Sequence, residues 1–423
     1  MFELKGEYNT IRVFQNKESL EDSCLEQLQT LADQKFTEGE DIAIMPDCHA
    51  GAGCVIGTTM TLKNRRICPN LVGVDINCGV RVVELPRDLR KENVDFERLD
   101  AFISAKVPIG HNVNHECYPG IDKMLGGLTC ARSIPVRDRQ IRNAIPSLGG
   151  GNHFIEMDED EDGRLYFAIH TGSRNLGLQV AQHHQDLADK YCNHDYSAYL
   201  EQANVIISEY KAQGRRSEIQ GVLSKLKKQF KESRNAIPRD LAYLEDNAFD
   251  DYINDMRICA AFAKANRLEL ASRLYGLLRK SVDVGIAKDF NSLETWETVH
   301  NYIDTESMIL RKGAVSARDG EKILIPINMR DGSLICTGRG NAEYNFSAPH
   351  GAGRIMSRTE SRERISLDDF KSSMDGIWSS CVDDKRIDES PMAYKSIDMI
   401  LPHISSTVDI VRRLKPVYNF KGL

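Results

Sequence analysis

Histidine, aspartate and cysteine residues recur beside glycine or in turn-like stretches of this sequence. Asp75 and Cys78 lie three residues apart in "LVGVDINCGV", after a β-branched run and between glycines. Histidines occupy similar settings at His49, His153, His170, His300 and His350. Each residue alone is typical of a turn, a core thiol or a surface histidine. Because imidazole, carboxylate and thiolate are the usual ligands of divalent transition metals, the whole set predicts a metal centre.

The number of candidate ligands favours two ions over one. Five residues are available, more than one tetrahedral ion needs: Asp75, Cys78, His153, His170 and His300. A thiolate sulfur can bridge two ions, and paired metals suit phosphoryl chemistry because they clamp both the attacking and the leaving oxygen. The alternative is a structural zinc site. Such sites usually show local Cys/His pairs, which this sequence lacks.

His350 stands in a different setting, "SAPHGAGRIMSR". The small residues after it let a phosphate approach backbone N–H groups, and Arg354 and Arg358 can neutralise phosphate oxygens. A histidine beside such a cradle can act as a covalent nucleophile and form a phosphoramidate. The sequence contains no "GxxxxGK[ST]" P-loop that would offer another explanation of the glycines.

Composition and charge exclude several classes of protein. The chain has 41% hydrophobic and 28% charged residues, as soluble globular proteins do. No apolar run reaches the about 18 residues of a membrane span, and the start "MFELKGEYNT" lacks a signal-peptide pattern. We therefore expect a cytoplasmic protein with no membrane partner, whose eleven irregularly spaced cysteines are reduced thiols.

A net charge of −7 means that nucleic acid would have to bind to a local basic patch. Residues 211–234 contain eight Lys/Arg residues, a pattern more typical of a solvated helix face than of a phosphate-binding one.

Periodicity predicts a mixed α and β chain. Over the first 180 residues, β-rich runs such as "DIAIMP", "LVGV" and "GVRVVEL" alternate with a helical pattern at 20–33. Residues 197–282 carry apolar residues three to four apart, which predicts helices. β-type patterning returns at "KILIPI" and "SLICTG", and a further helix is predicted around 366–379. Without a linker or repeat, we expect one α+β domain over 1–423 with a helical insertion at about 197–282.

Seven stretches resemble the RtcB family of RNA ligases in order and approximate spacing: "MPDCHAGAGCVIG", "VGVDINCG", "GGGNHFIE", "HTGSRNLG", "VHNYID", "RKGAVSA" and "HGAGRIMSR". The resemblance runs from about Ile44 to the final "KG". It implies a single RtcB-type domain whose mixed or antiparallel sheets are surrounded by helices. It also implies a GTP- and Mn(II)-dependent ligase that joins an RNA 3′-phosphate or 2′,3′-cyclic phosphate to a 5′-hydroxyl, in RNA repair or tRNA splicing.

The resemblance also implies roles for individual residues. Asp75 and His153 would hold one manganese ion, His170 and His300 the other, and Cys78 would bridge both. His350 would accept GMP before its transfer to an RNA(3′)pp(5′)G end. Guanylate contacts would come from Asn152, Glu156, His300, Asn301, Pro326, Asn328, Met329, Ser333, His350, Gly351, Ala352, Gly353 and Lys421. RNA phosphate would be bound by Arg174, Arg354 and Arg358. Asp47 would be an acidic residue close to the metal ions.

The chain departs from the family pattern at three places. Many relatives read "PGSMG" where residues 326–332 read "PINMRDG", which places Asn328 where serine is common. Asn175 replaces a usual glycine, and Pro349 immediately precedes His350. None of these changes removes a ligand or the nucleophile, so they indicate a divergent branch with altered RNA choice or altered nucleotide contacts.

Two other functions stay open at this stage. The same residues could form a two-metal phosphohydrolase or cyclic phosphodiesterase, or a non-catalytic protein that binds RNA ends. The resemblance leaves open the RNA substrate, the need for an archease-like activator and the oligomeric state, for which we expect a monomer.

Overall fold

Two large sheets and a two-stranded ribbon carry the strands of this computed structural model, which describes residues 1–193, 196–232, 237–283, 285 and 289–422. The strands are β1 Phe2–Lys5, β2 Thr10–Val13, β3 Ile42–His49, β4 Ile56–Thr61, β5 Gly79–Glu84, β6 Phe154–Glu159, β7 Leu165–Thr171, β8 Thr295–Val299, β9 Tyr302–Asp304, β10 Ile309–Lys312, β11 Ala314–Ser316, β12 Lys322–Asn328, β13 Gly332–Gly338, β14 Ser347–Pro349 and β15 Val408–Lys421.

The helices pack around these sheets. They are α1 Asp22–Ala32, α2 Phe96–Lys106, α3 Ile121–Leu125, α4 Arg139–Arg142, α5 Arg174–Asn193, α6 Tyr196–Ala212, α7 Ile219–Glu232, α8 Asp246–Leu278, α9 Arg358–Arg364, α10 Leu367–Ser373 and α11 Ile397–Ile404.

The larger sheet has the strand order β12-β13-β15-β6-β7-β5-β8, and the smaller has the order β1-β2-β3-β4-β10-β9. Neighbouring strands pair antiparallel throughout the larger sheet, whereas β2 and β3 are parallel in the smaller one. The expected α+β class with mixed and antiparallel sheets is confirmed.

Helix α8 covers one face of the larger sheet. Its apolar residues Leu270, Leu274 and Leu278 are fully buried and share a core cluster with Phe167 and Ile169 of β7. The long repeat of apolar residues that predicts a helix here therefore provides the face that packs on the sheet. The other face of the sheet forms a second core cluster with residues of β12, β13 and β15, and part of it lines a cavity.

Most of the predicted elements occur where the pattern places them, with one clear exception. The run "LVGV" (71–74), expected to be a strand, begins at the last residue of a 3₁₀ turn, Pro69–Leu71. Gly73 has a φ of 99°, which lies outside the β region, so the chain turns here instead of extending.

Helices α7 and α8 and all of α6 except its first residue fall within 197–282, while residues 233–236 of that range lie outside the described residues. That this range is an insertion within one domain stays a prediction. In the basic stretch 211–234, the side chains of Lys211, Arg216 and Lys225 are exposed, and Arg215 pairs with Glu218 at 2.7 Å. Arg234 lies outside the described residues.

Within the described part of the chain, none of the helices combines the length and the apolar character needed to span a bilayer.

Candidate active site

Four neighbouring strands bring the predicted metal ligands to one edge of the larger sheet. Cys78 immediately precedes β5, His153 immediately precedes β6, and His300 immediately follows β8. His170 lies near the end of β7, paired with Val80 of β5 on one side and with a residue of β6 on the other. Because these strands are antiparallel neighbours, the start of one lies beside the end of the next, so four distant segments converge.

A tight turn adds the fifth ligand. Asn77 adopts a φ of 57° between Asp75 and Cys78, and Asn77 N–H donates to the carbonyl of Asn301 at 2.8 Å. Asparagine tolerates this left-handed conformation better than most residues. The turn lets the Asp75 carboxylate and the Cys78 thiol lie beside the same histidine, His153.

The ligand atoms form two groups that share one sulfur. Cys78 Sγ lies 3.2 Å from His170 Nε2 and forms one group with His170 and His300. It also lies 3.4 Å from His153 Nε2, which is 3.0 Å from Asp75 Oδ2, and these three residues form the second group. Within each group the donor atoms lie within 4.8 Å of one another. The resemblance implied this division of the ligands.

Backbone carbonyls orient two of the imidazoles. His153 Nδ1 lies 2.9 Å from the carbonyl oxygen of Leu148, and His170 Nδ1 lies 3.1 Å from that of Asn152. Because a carbonyl oxygen only accepts, Nδ1 must carry the proton in both rings. His170 Nε2 then keeps its lone pair and directs it toward Cys78, as a metal ligand requires, whereas His153 Nε2 faces both Cys78 and Asp75 Oδ2.

The surroundings keep most of these groups in the protonation state that a metal ligand needs. Burial lowers the pKa of His170 and of His300 well below the usual value, so both rings are neutral. Burial tends to raise the pKa of Asp75, but hydrogen bonding and attraction to His153 outweigh it and hold the pKa below its usual value. Burial, followed by the charge of Asp75, raises the pKa of the Cys78 thiol. A divalent cation reverses that last effect because it stabilises the thiolate.

The donor set therefore fits two divalent transition-metal ions. It offers three imidazoles, one carboxylate and one thiolate, and the four His and Cys side chains are only 3–6% exposed. Nitrogen, oxygen and sulfur donors in this mixture suit ions from manganese to zinc.

His350 lies next to this centre, with its ring centroid 4.9 Å from that of His300. Its Nδ1 lies 2.8 Å from Oδ2 of the fully buried Asp47. Since a carboxylate only accepts, Nδ1 carries the proton and Nε2 is the free nucleophilic nitrogen. Asp47 Oδ1 is buried with no hydrogen-bond partner among the described residues. The structure thus places Asp47 directly on the predicted nucleophile.

A cavity of about 500 Å³ opens from His350, and most of the predicted nucleotide-contacting residues line it. Those that do are Asn152, Glu156, His300, Pro326, Asn328, Met329, His350, Gly351, Ala352, Gly353 and Lys421. The loop 326–332, whose sequence departs from the family pattern, therefore forms part of the cavity wall. Within it, Asn328 Nδ2 donates to Asp331 Oδ2 at 2.9 Å.

Two predicted nucleotide residues lie outside the lining. Asn301 Oδ1 accepts from Gly313 N–H at 2.8 Å, and its Nδ2 donates to the carbonyl of Asp75 at 3.3 Å. It therefore supports the ligand turn. Ser333 Oγ is buried beneath the wall with no hydrogen-bond partner among the described residues.

The three predicted RNA-contacting arginines differ in placement. Arg174 lies off the cavity, where it donates to the Gly110 carbonyl at 2.9 Å and to Ser147 Oγ at 3.2 Å. A Cβ added to Gly149 would lie 2.0 Å from the Arg174 guanidinium, so this side chain packs directly on the backbone of the Gly149 loop. Arg354 and Arg358 both line the cavity.

Sequence patterns miss the acidic partners of these arginines. Arg358 Nη1 lies 2.5 Å from Asp388 and 2.7 Å from Glu389, and Glu389 also binds Lys421 Nζ at 2.9 Å. Burial tends to raise the pKa of Glu389, but the charges of Lys421 and Arg358 outweigh it and lower the pKa to about 2. These acids lie in "RIDESPMAY", which carries no spacing that would identify it.

A third group of ligand-type side chains, also missed, lies away from the cavity. Cys130, His184 and Asp255 are all buried, and His184 Nε2 is 3.0 Å from Asp255 Oδ2. Asp255 also accepts from the backbone N–H groups of Thr129 and Cys130, at 2.7 and 3.1 Å, and from Thr129 Oγ1 at 2.8 Å. Its carboxylate is therefore fully used in holding a loop on α5 and α8.

Comparison with known proteins agrees with this geometry. The sequence profile of the family described as tRNA-splicing ligase RtcB matches residues 27–131 and 124–422. The chain belongs to the RtcB family. The matched segments include all five candidate ligands of this RtcB protein and His350.

Individual RtcB proteins align over most of their length. RNA-splicing ligase RtcB of Escherichia coli K12 is 29% identical over 407 residues, which cover 90% of each chain. tRNA-splicing ligase RtcB of Nanoarchaeum equitans is 25% identical over 464 aligned positions, covering 90% of this chain and 88% of that protein. RNA-splicing ligase RtcB homolog 1 of Entamoeba dispar is 25% identical and covers 89% of this chain.

Proposed function

We propose that this RtcB protein is an RNA ligase that uses GTP and two Mn(II) ions to join an RNA 3′-phosphate or 2′,3′-cyclic phosphate end to a 5′-hydroxyl end. One observation carries the proposal. Two ligand groups share Cys78 beside a histidine that a buried carboxylate orients, and this histidine faces a cavity large enough for a nucleotide.

Each metal would be held by residues already oriented for it. Asp75, Cys78 and His153 would hold one ion, and Cys78, His170 and His300 the other. When bound, such ions neutralise charge that develops on phosphate oxygens.

His350 and Asp47 would carry out the first chemical step. His350 Nε2 attacks the α-phosphorus of GTP, an N–P bond forms, and the bond to the pyrophosphate oxygen breaks. The ring becomes positively charged as it does so. Asp47 stabilises that charge through the 2.8 Å contact at Nδ1 and keeps Nε2 aimed at the cavity.

Two further group transfers would follow, the first at the phosphorus of GMP and the second at the phosphorus of the RNA end. An oxygen of the RNA 3′-phosphate attacks the GMP phosphorus and His350 departs, which gives RNA(3′)pp(5′)G. The 5′-hydroxyl oxygen then attacks the RNA phosphorus, a proton is lost, and GMP leaves. A 2′,3′-cyclic phosphate is first opened by water to the 3′-phosphate.

The cavity wall would hold the nucleotide during these steps. Glu156 and Lys421 lie on adjacent strands β6 and β15, so a carboxylate acceptor and an ammonium donor face one space. Gly351–Gly353 offer backbone N–H groups close to His350. Arg354 and Arg358 at the mouth would meet RNA phosphate.

The test is transfer of label from α-labelled GTP to the protein in Mn(II), read on a denaturing gel. We expect an acid-labile adduct in the wild type, none with His350→Ala, and normal labelling with His403→Ala, an exposed histidine on α11. An adduct that persists in His350→Ala would contradict the proposal. Release of phosphate from RNA ends without nucleotide would instead indicate the phosphohydrolase.

The biological setting is a prediction from the resemblance. The RNA could be a tRNA, ribosomal RNA or another cleaved RNA, because all present the same ends. Cytoplasmic location, a monomeric state and an archease-like activator are expectations of the same kind. RNAs crosslinked to the protein in its own cell would identify the substrate.

A further inference from the structure

A second carboxyl group is buried directly behind Glu156 in the wall of the cavity. Asp158 follows two residues later on β6, so both side chains project from the same face of the sheet. Asp158 is fully buried, and both of its oxygens lack a hydrogen-bond donor among the described residues. A buried ionised carboxylate without a donor is costly, so this group needs an explanation.

Glu156 lies two residues away on the same face of β6, and burial followed by the Glu156 charge and a hydrogen bond with Glu156 raises the pKa of Asp158. Two carboxylates both accept and neither donates, so their contact is favourable only if a proton lies between them. The other partner of Glu156 settles where that proton resides. Glu156 Oε2 accepts from Asn419 Nδ2 at 2.6 Å, and the charge of Lys421 favours the ionised form of Glu156.

We propose that Asp158 is a positioning residue that retains its proton and donates it to Glu156, and so fixes the Glu156 carboxylate toward the nucleotide. Asn419 and Asp158 then hold the carboxylate from two sides and leave one acceptor direction open to the cavity. Such an acceptor suits the adjacent N–H groups of a guanine edge, which adenine lacks. The inference rests on the proposed function, since it assigns the nucleotide to this cavity.

The charges around the pair support this distribution of the proton. Burial raises the pKa of Glu156 to about 6, while hydrogen bonds from Asp158 and Asn419 and the charge of Lys421 limit that rise. Burial and the Glu156 charge raise the pKa of Asp158 well above its usual value. The other titratable groups facing the pair from neighbouring elements are Tyr166 and His170 of β7 and, through Lys421, Glu389.

A pair of variants separates the donated hydrogen bond from simple packing. Asp158→Asn keeps the shape and an N–H donor, whereas Asp158→Leu keeps similar bulk without a donor. Glu161→Gln, an exposed site on the same hairpin, is the control. We expect Asp158→Leu to weaken GTP binding about tenfold in titration calorimetry, the cost of one charge-assisted hydrogen bond. Asp158→Asn should rescue most of that loss.

The pH dependence of GTP affinity distinguishes a hydrogen-bonding role of Asp158 from a role in packing alone. Wild-type affinity should fall as the pH drops through about 6, when Glu156 takes up a proton. Without the donor at 158 the pKa of Glu156 rises, so Asp158→Leu should lose affinity at a higher pH, and Asp158→Asn should resemble the wild type.

Two results would overturn the inference: equal affinity in Asp158→Leu and wild type, or equal losses in the Asn and Leu variants when both are folded. Failure of the proposed function looks different, because the wild type would then bind no GTP. The proton is still measurable in that case by infrared spectroscopy. The C=O band of a protonated carboxyl should be present in the wild type and absent in Asp158→Asn, and its absence from the wild type would refute the assignment.

Discussion

Two clusters in this molecule contain the same three kinds of side chain at the same spacing. His153 Nε2 lies 3.0 Å from Asp75 Oδ2 beside Cys78, and His184 Nε2 lies 3.0 Å from Asp255 Oδ2 beside Cys130. They differ in what else the aspartate does. The Asp255 side chain is fully buried and saturated by N–H and O–H donors, whereas 29% of the Asp75 side chain is exposed.

The difference shows that ligand type and proximity are insufficient to identify a metal site. A carboxylate whose lone pairs are taken by backbone N–H groups holds a loop in place. Asp75 Oδ1 accepts from one backbone N–H, that of Ser173 at 3.0 Å, but its Oδ2 faces His153 beside Cys78 and part of the side chain is open to solvent, so this carboxylate can bind a cation. The predictions below test this distinction.

The largest expected difference is in the metal content of variants at the two cysteines, Cys78 and Cys130. Cys78→Ala should reduce bound manganese from two ions per chain to none and abolish joining, by about 1,000-fold or more, because one sulfur serves both ligand groups. Cys130→Ala should keep both ions. Elemental analysis after Mn(II) loading and desalting measures this, and retention of two ions by Cys78→Ala would show that the sulfur is not shared.

A third His–Asp pair, His350 with Asp47, sharpens the comparison because its histidine is the proposed nucleophile. Asp47→Asn should slow formation of the GMP adduct by about 100-fold or more, since the amide no longer stabilises the charged ring. Metal content should not change. The rate of labelling from GTP checks this against Asp41→Asn, an exposed site just before β3. An unchanged rate would reduce Asp47 to a structural role.

The aspartates of the two clusters should differ in their contribution to folding stability, and here Asp255 should contribute more than Asp75. Asp255→Asn should lower the free energy of unfolding by about 2 kcal/mol, because it places an NH₂ group against N–H donors in a fully buried site. Asp75→Asn should cost about 1 kcal/mol or less, since water can reach that side chain. Urea denaturation of the metal-free proteins compares them. Equal losses would remove the distinction drawn here.

The smallest effect concerns acid stability. Burial tends to raise the pKa of Asp255, but hydrogen bonds from His184 and from the Thr129 loop outweigh it and hold the pKa below its unfolded value. The stability it contributes is present above the unfolded pKa of about 4 and is lost as the pH falls below it. Between pH 7 and 3.5 the gap between wild type and Asp255→Asn should narrow by about 0.7 kcal/mol. A gap that widens on acidification would contradict this.

The sequence predicts the ligands better than it predicts the supporting structure. The short motifs around Cys78 and His350 contain their own turns, so their chemistry can be recognised without the fold. Asp255 and Glu389 depend on contacts between elements far apart in sequence. Asp255 lies on a long amphipathic helix whose pattern gives no reason to expect a buried charge, and only its meeting with α5 and the 129–130 loop explains it.

The same reason explains why the sequence pattern does not give the position of every side chain around the cavity. Asn301 and Ser333 belong to segments that border the cavity, but pattern alone does not say which side chain of a segment faces inward. At 71–74 the β-branched residues favour a strand, while the φ of Gly73 and the need to turn toward Asp75 prevail.

Strand β15 lies between β13 and β6, in the interior of the larger sheet, and supplies Asn419 and Lys421 to the cavity. The β12–β13 pair and the β6-β7-β5-β8 strands can therefore join into one sheet only once β15 has been synthesised. A nascent chain that ends earlier would expose two unpaired strand edges and would have an incomplete nucleotide pocket. We would therefore expect ribosome-bound chains truncated before β15 to bind no GTP and to depend on chaperones.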